Sequence, residues 1–202
     1  MMKKFIWAVV MCVIILFGAT GDHSPPVEKM SVAPVLIDDD AIPKLICGRM
    51  TGTGVYISST TVITASHVVA SDVCTTPNGR EFTIRSIESE NDFAVLRTSP
   101  ANVQPYRLNC DGFIAGETYE AGGYANGRSF RSVALVARNE MYEIGGEDGT
   151  FYALNGRVEQ GMSGGPIVNS SGEIVGIISA VRRDNRSITL AKEIRDTVFC
   201  AR

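Results

Sequence analysis

From residue 54 to residue 191 the chain is a series of short apolar or alternating runs, broken repeatedly by Gly, Asn, Asp and Ser. Runs of that length bury one face or one short stretch each, so they must pair with one another into a sandwich or a barrel. The pattern predicts strands over 54–58, 61–65, 81–87, 93–98, 118–124, 131–142, 150–157, 166–169, 174–180 and 187–191. Only 192–199, with Ile194 and Val198 four apart, reads as a short terminal helix. Helices alternating with parallel strands are missing from the pattern, which sets the α/β classes aside and leaves an all-β fold. No internal repeat stands out.

The N-terminus reads differently. Met1-Met2-Lys3-Lys4 is a positive start, residues 5–17 are a 13-residue apolar run, and Gly18, Ala19, Thr20 and Gly21 follow. This is the layout of an export signal at 1–21, too short for an ordinary bilayer span. The expectation is an exported protein, periplasmic or extracellular. Anchoring through residues 5–18 is the alternative, and membrane contact is expected only if that segment is uncleaved. Cys12 lacks the small residues of a lipoprotein signal. Residues 22–44 hold Pro25, Pro26, Pro34 and Pro43 with the run Asp38-Asp39-Asp40, and read as an extended linker with a solvated acidic patch.

The formal charge of −3 becomes −5 once Lys3 and Lys4 are removed, so no basic surface for nucleic acid is expected. With the leader gone, Cys47, Cys74, Cys110 and Cys200 remain in an oxidising compartment. Four cysteines allow three pairings, and four free or buried thiols are the other possibility. No metal-ligand spacing occurs, so neither metal nor cofactor is expected.

Chemistry concentrates in Gly161-Met162-Ser163-Gly164-Gly165-Pro166. A serine held between glycines in a tight turn has backbone amides beside it, and its hydroxyl needs a positioned base to become a nucleophile. His23 falls in the polar stretch near the N-terminus. His67 ends the apolar run Thr61-Val62-Ile63-Thr64-Ala65-Ser66 and is the better base. Asp92 opens Phe93-Ala94-Val95-Leu96, a buried-strand pattern, and an acid there needs a partner.

Thr64-Ala65-Ser66-His67, Asp92 to Leu96 and Gly161 to Pro166 resemble the three signature blocks of trypsin-like (chymotrypsin-fold) serine proteases, in that family's order. The resemblance extends to Gly52-Thr53-Gly54-Val55-Tyr56-Ile57 and Gly176-Ile177-Ile178-Ser179, and covers roughly residues 45 to 195. It implies two six-stranded antiparallel β-barrels, at about 45–108 and 117–191 within a protease domain of 45–202, with the site in the cleft between them. It further implies a catalytic triad of His67, Asp92 and Ser163, an oxyanion hole from the Gly161 and Ser163 amides, and a Cys47–Cys74 bridge that leaves Cys110 to Cys200. The expected function is a monomeric serine endopeptidase acting on protein or peptide substrates.

Two departures from the family pattern carry information. Zymogen-activated members have an aspartate before the nucleophile to receive a new N-terminal ammonium. Met162 stands there and cannot form that ion pair, so the chain looks nearer to the HtrA-type and glutamyl-endopeptidase branches. The pocket-floor position, six residues before Ser163, is Arg157 rather than an aspartate, which argues against trypsin specificity. Arg157 is read either as a group for acidic side chains or as a solvated surface residue. Gln160 and Ser179-Ala180-Val181 are expected to line the substrate cleft, and Arg182, Arg183 and Arg186 to form a solvated loop, with charges at the cleft rim as the alternative. Two other functions stay open: a catalytically silent peptide-binding or structural protein on the same fold, and an esterase with the same triad.

Overall fold

The computed structural model describes residues 37–143 and 150–200. The leader at 1–21 and residues 22–36 of the linker lie outside the described residues. Thirteen strands run through the described residues, every pair antiparallel. The first seven are β1 (Lys44–Cys47), β2 (Met50–Thr53), β3 (Val55–Ser58), β4 (Thr61–Thr64), β5 (Val73–Thr75), β6 (Glu81–Glu88) and β7 (Phe93–Arg97). They form one sheet in the order β2-β1-β5-β6-β7-β4-β3. The last six are β8 (Thr118–Ala125), β9 (Ser129–Glu143), β10 (Thr150–Asn155), β11 (Pro166–Val168), β12 (Ile174–Val181) and β13 (Ile188–Glu193). These close into a barrel in the order β10-β13-β12-β11-β8-β9.

The all-β expectation holds, but the expected first barrel is an open, half-barrel sheet. Its end strands, β2 and β3, are consecutive in the chain and joined through Gly54 alone, with no ladder between them. Gly54 instead carries the chain from one edge to the other, its amide donating to Pro43 O at 2.9 Å. A Cβ at this corner would come 2.6 Å from Val62 Cγ1. The predicted strands all exist, with ends moved by a few residues. β1, β2 and β5 were not anticipated, because three or four residues are too few to display a period.

Apolar burial accounts for the strands that were legible. Four successive residues of β7, Phe93 to Leu96, are buried, since β7 lies between β6 and β4 under the core that Val55, Tyr56, Val62, Ile63 and Phe82 complete. Each such side chain contributes about 1.5–3 kcal/mol by leaving water. A second core of Leu135, Leu154, Ile167, Val175 and Ile178 fills the closed barrel. The arm reaches the first core before β1 begins, with Ala41 and Ile42 buried, while Asp38 to Asp40 stay exposed.

The terminal helix is also corrected. Lys192 and Glu193 belong to β13, paired with Ile177 and Gly176 of β12, and only a 3-10 turn, Ile194–Asp196, follows. The ladder takes their backbone groups, and the buried Glu193 carboxylate accepts from Phe113 N and pairs with Arg195 Nε. Thr197 Oγ1 then closes the turn on Ile194 O at 2.6 Å.

Two disulfides are present, Cys47–Cys74 and Cys110–Cys200. The first ties β1 to its neighbour β5. The second ties the connection between the two halves to the last turn of the chain, across 90 residues of sequence. Replacing Cys110 and Cys200 together by Ala is expected to cost about 2–4 kcal/mol in urea unfolding under oxidising conditions, because the long loop is no longer restrained in the unfolded chain.

Candidate active site

His67 and Asp92 meet because of a strand pairing. β4 and β7 are antiparallel with Thr64 opposite Ala94, so residues just past the end of β4 face residues just before the start of β7. His67 sits in a 3-10 turn, Ser66–Val68, on one side of that seam. Asp92, on the other, ends the 3-10 turn Ser89–Asn91 in the left-handed region, at φ 45° and ψ 47°. Asp is among the side chains that tolerate this conformation.

The Asp92 carboxylate is buried and saturated with donors. Its oxygens lie 3.0 and 2.9 Å from His67 Nδ1, and Oδ1 also accepts from the His67 amide at 3.1 Å and from Ser66 Oγ at 2.9 Å. Ser179 Oγ, from β12 in the closed barrel, donates to Oδ2. Burial alone would push the Asp92 carboxyl up. The hydrogen bond and charge of His67, the Ser179 hydroxyl and the His67 amide outweigh it, and the carboxyl is held below its usual value of 3.8. An ionised Asp92 fixes the imidazole with its proton on Nδ1, which leaves Nε2 as the basic nitrogen.

Ser163 reaches the same place from the other half of the molecule. Its carbonyl accepts from Thr53 N at 2.8 Å, and its Oγ donates to Ser179 O at 3.1 Å. The turn requires its glycines, two of them at positive φ and the third, Gly165, because a Cβ there would be 2.0 Å from Gly122 O. Gly161 lies at φ +92°, where a Cβ would meet Tyr124 O at 2.6 Å, and Gly164 lies at φ +82°, where a Cβ would be 2.3 Å from Thr53 O. Met162, between Gly161 and Ser163, is fully buried in the barrel core. Among the described residues, neither the Gly161 nor the Ser163 amide donates to a protein acceptor. Two unspent donors beside a serine hydroxyl are what an oxyanion would require.

A cleft of about 590 Å³ holds His67 and Ser163 together, and the expected lining residues Arg157, Gln160, Ser179, Ala180 and Val181 all reach it. Asn126, Glu159 and Arg186 line it too. Of the two readings of Arg186, its place in the lining favours a charge at the cleft rim over a plain solvated loop. An open groove of about 710 Å³ near Arg80 and Arg97 shares no residue with this cleft and contains no histidine.

Sequence reasoning overlooked Thr53 and Asn126. Thr53 is buried between the halves; its Oγ1 donates to Gly161 O at 2.8 Å and accepts from Tyr124 N at 3.0 Å. Its one sequence signal was a position between two glycines. Asn126, at φ 50° in the β8–β9 turn, donates its amide to Gln160 O at 2.6 Å, pinning the peptide plane that carries the Gly161 N–H. The hydroxyl of Ser179 was expected only to line the cleft, and its bond to Asp92 was not foreseen.

The family described as "Trypsin-like peptidase domain" matches residues 52–177, which spans both halves and all three of His67, Asp92 and Ser163. The chain belongs to that family. Serine proteases Rv3671c and MT3772 of Mycobacterium tuberculosis are each 27% identical to this trypsin-like peptidase domain over 147 residues, 66% of the chain. The alignment spans 37% of the length of those relatives. Among solved structures, the active form of the Rv3671c protease superposes with a TM-score of 0.69 at 24% identity, covering 77% of each chain. HtrA-type protease AlgW with a tripeptide gives 0.68 at 22% identity, over 79% of this chain and 58% of that one. These likenesses establish a chymotrypsin-like fold.

The depressed Asp92 pKa has a consequence for stability. Ionised Asp92 stabilises the folded domain above its unfolded value of about 3.8, and that contribution is lost as pH falls through the lower folded value. Asp92→Asn is expected to unfold at lower temperature than the parent at neutral pH, with the gap closing below about pH 4 in thermal unfolding followed by circular dichroism.

Proposed function

We propose that this protein is an exported serine endopeptidase. The observation that carries the reading is the Asp92 carboxylate 2.9 Å from His67 Nδ1 in the cleft that also holds Ser163 and two unspent amides. In the proposed reaction a peptide enters that cleft with its scissile carbonyl against Ser163. His67 Nε2 takes the Ser163 proton as Oγ attacks, and the Gly161 and Ser163 amides receive the oxyanion. The imidazolium, stabilised by Asp92, then protonates the leaving amine, and water on the acyl-enzyme repeats the steps in reverse roles. Ser163 Oγ must leave the Ser179 carbonyl to do this, a rotation about one side-chain bond.

Export is supported by the signal-like N-terminus and by two disulfides, which persist in oxidising compartments. Activity needs no newly exposed N-terminus in this proposal, because the residue before the nucleophile is the buried Met162 and offers no carboxylate to an ammonium.

A fluorophosphonate probe is expected to label the folded protein at neutral pH and to lose its target in Ser163→Ala. Peptidase activity should fall about ten-thousandfold in His67→Ala and Asp92→Asn, with the unprocessed domain as active as one trimmed near residue 45. A folded protein that neither labels nor cleaves would instead be a peptide binder using the same cleft.

A further inference from the structure

Arg157 and Arg186 come to the Ser163 cleft from the segments just past the paired ends of β10 and β13. In the closed barrel Asn155 of β10 is opposite Ile188 of β13, and the next residues continue the pairing, with Gly156 N donating to Ser187 O at 2.8 Å. Beyond that bond the chain turns, Ile188 N donating to Asn185 O at 3.0 Å, and Arg186 sits within the turn while Arg157 follows Gly156. Thr189 Oγ1 secures the corner by donating to Gly156 O at 2.8 Å. Both arginines line the cleft that holds Ser163, and among the described residues neither guanidinium has a hydrogen-bond or ion-pair partner. Two like charges in one cleft repel, so their shared placement adds nothing to the fold.

The surroundings leave these two charges available. The loop that presents Arg186 is braced by Arg182, which bonds Asp184 through Nε and Nη2 at 2.6 and 2.5 Å and reaches the Tyr142 hydroxyl through Nη1. The acidic residue of the cleft, Glu159, is already engaged, accepting from Asn126 Nδ2 at 2.7 Å and facing Arg131 Nε at 3.6 Å. Ala180 and Val181 supply an apolar wall leading to the arginines.

We infer that Arg157 and Arg186 form a two-arginine subsite for the carboxylate of a Glu or Asp side chain on the residue N-terminal to the cleaved bond. This rests on the proteolytic reading of the cleft. Two planar guanidinium forks can take a carboxylate in a charge-assisted, bidentate manner, and the anion removes the repulsion between them. An amide of the same shape offers one acceptor and no charge, so Glu against Gln isolates the effect, and a Lys side chain is repelled.

The test is a set of peptides differing only at that residue. The wild-type protein is expected to cleave the Glu peptide about tenfold or more faster than the Gln peptide in kcat/KM, with Lys poorest. Arg157→Gln and Arg186→Gln should each shrink the Glu/Gln ratio, and Arg157→Glu with Arg186→Glu should shift the preference to Lys. Binding of the same peptides to Ser163→Ala, followed by fluorescence anisotropy, should show the same order. Equal handling of Glu and Gln, in cleavage or in that binding, overturns the subsite even if fluorophosphonate labels Ser163. Absence of labelling and cleavage overturns the proteolytic reading instead, and the Ser163→Ala binding order then still decides the subsite.

Discussion

A single buried carboxylate holds the site together. Asp92 is 5% exposed, and an ion so far from water is tolerated only if its lone pairs are filled. Four groups fill them: the His67 ring and amide, the Ser66 hydroxyl and the Ser179 hydroxyl. Each demands something of the fold. The His67 and Ser66 bonds require the β4–β7 register, the left-handed turn at Asp92 aims the carboxylate back over that seam, and the Ser179 bond requires the closed barrel to sit against the open sheet. The same contacts that make burial of the charge acceptable orient the imidazole.

Thr53 makes a second seam between the halves. Its amide reaches Ser163 O, its hydroxyl bridges Gly161 O and Tyr124 N, and its carbonyl accepts from Thr64 Oγ1 at 2.7 Å. Thr64 precedes the His67 turn, so the segment carrying the histidine and the turn carrying the serine share one buried residue. These bonds are short and sequence-distant, and they pass through a position where only glycines fit on the facing turn. Relative displacement of the halves would break the bonds from Thr53 to Ser163, Gly161 and Tyr124 together, which favours one packed arrangement over a continuum of them.

Much of this was legible in the chain. Residues 93–96, 135, 154, 167 and 174–178 announce strands because burial of branched and aromatic side chains repeats along them. His67, Asp92 and Ser163 were legible because each sits in a local context, a strand end or a glycine turn, that survives without the rest of the molecule. What escaped notice had no local signature. β1, β2 and β5 owe their existence to neighbours rather than to their own pattern. The terminal helix failed because Lys192 and Glu193, good helix formers, had a ladder partner in β12 that no short-range reading could include. The two-barrel expectation holds for the closed second half, while the first half is a seven-stranded sheet whose end strands meet at Gly54 without a ladder between them.

The amino-acid sequence by itself determined an all-β class, a candidate serine, histidine and aspartate, and the absence of a carboxylate at Met162, since these follow from residue type and near neighbours. Only the tertiary structure decided that Ser179 supports Asp92, that Thr53 and Asn126 hold the Gly161 turn, and that Arg186 joins Arg157 in the cleft of Ser163. Those relations join residues up to 108 positions apart, as for Thr53 and Gly161, and are set by strand register and barrel closure. Register is a property of paired chains, so no single strand carries it.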